Sequence, residues 1–200
     1  MRKAIYLIIS VMSIGIIACK DEENITPAVN KNVPPASPNI KYSNIDKISV
    51  FGATNQTNIQ YFDADNDGTN DFSYTYIKSN NDVSIAINAL NENELHVGFN
   101  NSIPQSISYL IYDYQAGDTI NSTVKYWQKY GFIYFRDDHL GMNQDLYLAI
   151  KLQVNGKSCY GWLRIKYNII TGGGFAATIN IIDAAYEQTE GYAIEAGRKS

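Results

Sequence analysis

Residues 72–77 read Phe-Ser-Tyr-Thr-Tyr-Ile, with a large aromatic side chain at every second position up to Tyr76. Side chains alternate between the two faces of a β-strand, so this spacing places Phe72, Tyr74 and Tyr76 on one face. Short runs of the same kind, rich in β-branched and aromatic residues and separated by Asn, Asp and Gly, recur from about residue 45 onward. These runs predict ten strands: Lys47–Phe51, Asn58–Phe62, Phe72–Lys78, Val83–Leu90, Leu95–Phe99, Ile107–Tyr112, Phe132–Phe135, Leu146–Val154, Cys159–Tyr167 and Ala177–Ile182.

This series of strands predicts an all-β fold. No long stretch of the sequence has helical spacing with caps, and no repeat recurs at a fixed period. Ten short strands over residues 45–200 indicate one domain, a single antiparallel β-sandwich of the jelly-roll kind. A barrel is the main alternative.

The first eighteen residues have the organisation of a secretory signal. Met1, Arg2 and Lys3 precede an apolar run that ends at Ala18 and is too short to be a convincing membrane span. The run ends in Ile-Ile-Ala-Cys at residues 16–19, which resembles the lipobox of bacterial lipoproteins. The resemblance implies cleavage after residue 18, a diacylglycerol on Cys19 and attachment to a membrane through that lipid.

The residues that follow Cys19 bear on where the protein is displayed. Lys-Asp-Glu-Glu at residues 20–23 resembles the export signal of Bacteroidetes surface lipoproteins. That resemblance implies an outer-membrane anchor and a domain at the cell surface, with the periplasmic face as the alternative. Four of the five prolines lie before residue 40, among Asn, Ser and Lys. Residues 19–44 are therefore predicted to be a disordered tether.

Charge and cysteine content restrict the function further. The formal charge is −4, and it becomes −6 when residues 1–18, with Arg2 and Lys3, are removed. A mildly acidic chain without a basic cluster is not expected to bind nucleic acid. With Cys19 acylated, Cys159 is the single remaining thiol, which excludes an intramolecular disulfide. We interpret Cys159 as a small buried apolar residue.

The strongest chemical motif lies between the second and third predicted strands. Residues 63–71 read Asp-Ala-Asp-Asn-Asp-Gly-Thr-Asn-Asp, a D-x-D-x-D-G-x-x-D arrangement. Alternate carboxylates in a tightly coiled loop converge on one hard cation, Gly68 allows the sharp turn, and a backbone carbonyl supplies a further oxygen. The sequence therefore predicts a structural Ca²⁺ site with the ligands Asp63, Asp65, Asp67, Thr69 and Asp71.

This loop differs from an EF-hand at its twelfth position, where Tyr74 replaces the bidentate glutamate. Strands rather than helices are predicted on both sides of it. In these respects it resembles the calcium loops between strands of integrin-type propellers. The alternative is a metal-free hairpin loop, since Asn, Asp and Gly also favour turns.

The C-terminal third carries a second resemblance. It contains Tyr-Gly-Trp-Leu-Arg at residues 160–164, Asp-Ala-Ala-Tyr-Glu at 183–187 and Ala-Ile-Glu-Ala-Gly at 193–197. These motifs resemble the end of an uncharacterised family of secreted bacterial β-sandwich proteins, which implies the fold and no activity. Strand alternation puts Tyr160, Trp162 and Arg164 on one face, which we interpret as structural packing.

Three functions remain open from the sequence. The first is a calcium-stabilised binding or adhesion module whose ligand is unknown; a glycan is one option, since the 16 tyrosines and 2 tryptophans offer rings that stack on sugars. The second is a polysaccharide hydrolase, with acids drawn from Glu92, Glu94, Asp137 and Asp138 and a role for His139. The third is an accessory subunit of an outer-membrane complex. No nucleophile elbow or HExxH spacing is present, so no catalytic residue is assigned.

Overall fold

The computed structural model describes residues 39–52, 57–78, 83–100, 108–135, 138–170 and 176–200. Cys19 and most of the predicted tether lie outside this part of the chain. The described residues form strands and turns and contain no helix, so the all-β prediction is confirmed. No helix that is long and apolar enough to cross a membrane occurs in these ranges.

The strands found in the described residues are β1 (Ile40–Phe51), β2 (Thr57–Phe62), β3 (Phe72–Lys78), β4 (Val83–Ala89), β5 (Glu94–Asn100), β6 (Ser108–Ile111), β7 (Asp113–Tyr114), β8 (Thr119–Ile120), β9 (Trp127–Gln128), β10 (Tyr130–Phe135), β11 (Asp138–His139), β12 (Leu146–Val154), β13 (Lys157–Ile170), β14 (Ala176–Glu187) and β15 (Ile194–Glu195). Each of the ten predicted strands overlaps one of these. The two-residue strands β7, β8, β9, β11 and β15 were not predicted.

One hydrogen-bonded sheet contains all but two of these strands. Its order is β1-β14-β13-β12-β5-β6-β10-β4-β3-β2, with β7 on β12, β9 on β5 and β11 on β10, while β8 and β15 form a separate pair. The pairs are antiparallel except for β6 with β10. The sheet curls so that its two edge strands approach: the Lys47 ammonium of β1 donates to the Tyr61 carbonyl of β2. Phe51 of β1 also stacks on Tyr76 of β3, the strand next to that edge, with ring centroids 4.9 Å apart. The arrangement is close to a closed barrel.

The concave face of the sheet holds the main core. Alternate residues of the long strands point inward and are almost fully buried, which removes their apolar surface from water. The members of the main core include Phe62, Phe72, Tyr74, Ile85, Ile87, Leu148, Ile150, Leu163, Ile165, Ile179 and Tyr186.

A second apolar layer, here called the outer layer, covers the convex face of β12, β13 and β14. Trp162, Ala149 and Ala185 are its buried centre. The C-terminal segment, residues 188–200, which includes β15, packs onto them together with β8. Gly161 permits β13 and β14 to come close here, because a Cβ at this position would lie 2.6 Å from the Ala185 carbonyl oxygen. The partly buried members are Ile40, Tyr42, Tyr112, Trp127, Tyr147 and Tyr160.

The predicted boundary between tether and domain requires a correction. β1 begins at Ile40, inside the range 19–44 that was predicted as tether. Ile40 pairs with Glu187, and the Tyr42 hydroxyl donates to Asp183 at 2.8 Å. This part of β1 is held by residues more than 140 positions away, and the alternation of Ile40 and Tyr42 is too short to predict the strand by itself.

Candidate metal centre

The Asp-rich loop connects β2 to β3 at one edge of the sheet. It is closed by the Asp71 amide, which donates to the Phe62 carbonyl at 3.0 Å. The backbone enters the left-handed region at Asn66, with φ of 58°, and at Gly68, with φ of 93°. Asn and Gly tolerate this region better than other residues, so the sequence favours the tight coil locally.

The Asp63 carboxylate organises the coil. Its Oδ1 accepts hydrogen bonds from the amides of Asp65, Asn66 and Asp67 at 3.1, 2.6 and 3.3 Å. Its Oδ2 accepts one from the Gly68 amide at 2.7 Å. The loop backbone is thus wrapped around this one side chain, which fixes its carboxylate at the centre of the turn.

Three carboxylates converge in this loop. Asp63, Asp65 and Asp71 each offer one oxygen, and these oxygens lie within 4.8 Å of one another. Asp65 is 5% exposed and Asp71 is 9% exposed, so water screens their repulsion poorly. Burial, followed by the charges of Asp71 and Asp67, raises the pKa of the Asp65 carboxyl to about 6. Like charges held together in this way favour a cation or a proton.

Asp71 is held on the side of the loop that faces the sheet. Burial raises its pKa, against the opposing hydrogen bonds from the Ala64 amide at 2.9 Å and the Asn93 side-chain amide at 2.9 Å. Asn93 itself is buried, and its Oδ1 accepts from the Gln153 amide at 2.8 Å. Asn93 was not singled out in the sequence, because nothing in its local pattern links it to a loop 22 residues away.

Asp67 and Thr69 lie on the exposed side of the loop. The Asp67 Oδ1 accepts from the Thr69 amide at 2.7 Å, and neither residue belongs to the group of three converging oxygens. Their assignment as ligands stays a prediction. A carboxylate oxygen has two lone pairs, so Asp63 Oδ2, which accepts one N–H bond, retains one for a cation, whereas Oδ1 already accepts three N–H bonds.

The chemistry of this group suits a hard cation. Three converging carboxylate oxygens, with no nitrogen or sulfur ligand among them, are the set that Ca²⁺ and Mg²⁺ prefer over softer metals. The loop is a part of the structure that can hold a metal ion, and it connects the paired strands β2 and β3.

The acids considered for hydrolysis do not form a comparable group in the part that the structure describes. The Glu92 side chain is 84% exposed and lies 3.6 Å from the Lys129 ammonium. Glu94 forms an ion pair with Lys151 at 2.9 Å. Asp137 lies outside the described residues, and Asp138 and His139 form β11, where only the backbone is described.

The cysteine prediction agrees with the described fold. Cys159 is a free, buried thiol that belongs to the main core, and burial raises its pKa. His96 is buried on the opposite face of the sheet, where its Nδ1 contacts the Tyr114 hydroxyl at 2.8 Å. The two side chains are separated by the sheet and form no pair.

Trp162 and Arg164 make structural contacts, as interpreted from the sequence, whereas Tyr160 on the same face is partly exposed. Trp162 is the buried centre of the outer layer, and its indole N–H donates to the Arg198 carbonyl at 3.0 Å. Arg164 binds Asp183 through two hydrogen bonds of 2.8 and 2.7 Å.

Comparisons with known proteins identify no relative. No protein-family model matches the chain, and neither a search of curated proteins nor a search of solved structures finds a similar protein.

Proposed function

We propose that this protein is a lipid-anchored, extracytoplasmic binding module whose β-domain is stabilised by Ca²⁺ in the loop of residues 63–71. The observation that carries the metal part is the convergence of the Asp63, Asp65 and Asp71 oxygens within 4.8 Å. The lipid anchor is supported by the signal-like N-terminus and the lipobox resemblance at Cys19.

Calcium is favoured over Mg²⁺ by the character of the loop. Ca²⁺ accepts flexible, all-oxygen coordination that includes backbone carbonyls, whereas Mg²⁺ demands near-ideal octahedral geometry and retains several waters. The compartment outside the cytoplasm is also the one in which weak calcium sites, with Kd of about 0.1–1 mM, are filled.

The role of the cation would be structural. The loop joins the edge strand β2 to β3, and Asp71 is linked through Asn93 to the amide of Gln153 in β12. A bound cation would neutralise the carboxylates and hold these three parts of the sheet together.

Thermal unfolding with calcium and with chelator tests the metal proposal. With 2 mM Ca²⁺ and a Kd of about 0.1 mM, binding to the folded state contributes about 2 kcal/mol, or a Tm increase of roughly 4–8 °C. Asp65→Asn should abolish this increase while leaving the Tm in EGTA equal or higher, because the substitution also relieves carboxylate repulsion. Glu92→Gln removes an exposed acid and serves as the control. A Tm that is the same in calcium and in EGTA would contradict the proposal.

Mass spectrometry of the protein purified from membranes tests the anchor. The expected mature N-terminus is Cys19 carrying diacylglycerol, and Cys19→Ser should release the protein from the membrane fraction. An N-terminus other than Cys19 in the membrane-bound protein would contradict the proposed lipid anchor.

A further inference from the structure

A group of aromatic and charged side chains lies on the convex face of the sheet, across from the main core. We propose that it binds a neutral carbohydrate. The group, here called the Trp127 platform, consists of Trp127, Tyr160, Glu94 and Lys151. This inference deepens the proposed function, since it gives the binding module a site and a class of ligand.

The rings of the platform lie side by side and remain partly exposed. The Trp127 and Tyr160 centroids are 5.9 Å apart, and the ring planes differ by 32°. Both residues are of intermediate exposure, and the Lys151 ammonium lies over the Trp127 ring. Partly exposed aromatic rings of similar orientation offer an apolar surface with polar atoms at its margin, which matches the alternating C–H and hydroxyl groups of a sugar.

A charged pair adjoins these rings. The Lys151 ammonium lies 4.4 Å from the Trp127 ring centroid and 2.9 Å from the Glu94 carboxylate. The Lys151 side chain is 18% exposed and that of Glu94 is 31% exposed, so both remain accessible from solvent. Ammonium donors and carboxylate acceptors are complementary to neighbouring hydroxyl groups.

The charges also select the class of sugar. Lys151 and Glu94 neutralise each other, so the platform has no net charge of its own to attract an acidic or an amino sugar. The ligand that fits is a neutral oligosaccharide or polysaccharide.

The platform is held rigid before any ligand binds. The indole N–H of Trp127 donates to the Val124 carbonyl at 3.0 Å, and Trp127 pairs with His96 across β9 and β5. The His96 ring supports the indole with its centroid 5.8 Å away. A Trp whose rotamer is fixed in this way loses little side-chain entropy on binding, which favours affinity.

The backbone next to Trp127 is strained. Tyr126 has a φ of 62°, a conformation that is uncommon for an aromatic residue, and its side chain is 47% exposed. The conformation is maintained by the Val97 amide, which donates to the Tyr126 carbonyl at 3.1 Å. Strain of this kind is concentrated at ligand-binding positions. Here it occurs at an exposed aromatic residue that directly precedes Trp127 in the chain.

Affinity electrophoresis in native gels tests the proposal. The full-length protein in mild detergent with calcium is run through gels containing laminarin, xyloglucan, galactomannan or yeast mannan, with alginate as the acidic comparison. We expect retardation by at least one neutral polysaccharide and none by alginate. No retardation in any of the neutral gels, or a preference for alginate, would overturn the proposal.

Substitutions locate the binding. Trp127→Ala should weaken binding to the retarding polysaccharide by at least tenfold, as is usual for a central aromatic residue. Lys151→Met keeps most of the aliphatic side chain and removes the ammonium, so it should weaken binding with little change in Tm. If Trp127→Ala fails to fold, the binding of Lys151→Met tests the site instead. Tyr61→Ala removes an aromatic residue that is 48% exposed on β2, and it should bind like the wild type. Equal weakening by all three substitutions, or by none, would contradict a site at Trp127.

The outcome is separable from that of the calcium proposal. A calcium-dependent Tm without polysaccharide binding would refute the platform and leave the metal site standing. Polysaccharide binding by a protein whose Tm is the same with and without calcium would refute the metal site and support the platform.

Discussion

Asp183 is a fully buried carboxylate on the convex face of β14. Burial by itself would raise its pKa, but the hydrogen bonds from Arg164, Lys199 and Tyr42 outweigh burial, and the pKa is lowered. The Lys199 ammonium lies 2.9 Å from Asp183 and 4.3 Å from the Tyr42 ring centroid. A single side chain thus joins β1, β13 and the C-terminal segment.

Replacement of Asp183 should be costly. Asp183→Asn leaves Arg164 and Lys199 without a buried counter-charge, and we expect a loss of about 2–4 kcal/mol in the free energy of unfolding. Asp145→Asn is the matched control, because Asp145 meets the same guanidinium at 3.2 Å from a 43% exposed position and should cost about 0.5 kcal/mol or less. Urea unfolding at pH 7 measures both. Equal costs would show that burial of Asp183 does not determine its contribution.

His96 should make stability depend on pH. Burial lowers its pKa to about 4, from an ordinary 6.5, so the unfolded chain binds the proton more readily than the folded chain. The stability that comes from neutral His96 is therefore complete above pH 6.5, is lost progressively between pH 6.5 and pH 4, and changes no further below pH 4. Between pH 7 and pH 5 the loss is about 2 kcal/mol.

The comparison of wild type with His96→Gln isolates this contribution. Gln keeps a hydrogen-bonding group for the Tyr114 hydroxyl but does not titrate. Urea unfolding at both pH values, in the same calcium concentration, should show that the variant loses about 2 kcal/mol less than the wild type. Parallel pH profiles would show that His96 becomes charged in the folded state without cost.

At the scale of elements, the turn between β4 and β5 connects two parts of the molecule. Its Leu90 amide donates to the Asp71 carbonyl at 2.8 Å, and the Lys129 ammonium donates to the carbonyls of Asn91 and Asn93 at 2.8 and 3.0 Å. The same turn leads into Glu94 of the Trp127 platform. The loop of residues 63–71 and the Trp127 platform are therefore both adjacent to the turn between β4 and β5.

Asn93→Ala should weaken calcium binding and lower stability together. It removes the donor to Asp71 Oδ1 and the acceptor for the Gln153 amide, and the loss of these two hydrogen bonds, one of them to a charged group, costs about 2–3 kcal/mol. Titration followed by Tm should also show a smaller stabilisation by calcium. Asn70→Ala changes an exposed residue of the same loop and should leave both quantities close to those of the wild type. If calcium stabilises Asn93→Ala as much as the wild type, Asn93 contributes to the stability of the sheet but not to calcium binding.

At the scale of the whole molecule, the C-terminal segment shields the side chains of the outer layer, Trp162 above all, from solvent. Ile194 and Ala196 are buried in that layer, and the Arg198 carbonyl accepts the Trp162 indole N–H. Trp162 has no exposed surface in the folded chain.

Deletion of residues 194–200 should expose Trp162 without unfolding the main core. In a Trp127→Phe background, so that Trp162 is the one fluorophore of its kind, the emission maximum should shift to longer wavelength, and the far-UV circular dichroism should keep its β-sheet form. Tyr192→Ser changes a residue of the same segment that is 53% exposed and should leave the emission unchanged. An unshifted maximum after the deletion would show that other residues cover Trp162.

The sequence predicted the parts of the fold that local periodicity controls. Alternation in residues such as Phe72, Tyr74 and Tyr76 is repeated over whole strands, and the structure buries these three side chains as expected. A two-residue strand such as β9 has no period to detect. The position of β12 beside β5, and the parallel pairing of β6 with β10, depend on contacts distant in sequence that no local pattern encodes.

The candidate sites follow the same distinction. The spacing within residues 63–71 predicted the convergence of Asp63, Asp65 and Asp71, because that geometry is local to one loop. Asn93 supports this loop from another turn, and Trp127 meets Tyr160 and Lys151 only after three strands have assembled. No local sequence pattern predicts either of these two arrangements.

The pairing of β1 has a mechanical consequence. β1 is the first described strand and is bonded to a neighbouring strand on one side, by β14, from Ile40 with Glu187 to Phe51 with Ala177. A pull applied to the chain before residue 40 therefore loads β1 first. Resistance to that pull begins at Asn39 and Ile40, which bond to Gln188 and pair with Glu187. It increases at Tyr42, whose hydroxyl donates to Asp183, and Asp183 also accepts from Lys199. Tension arriving at one end of the domain is thus borne jointly by its first strand and its last residues.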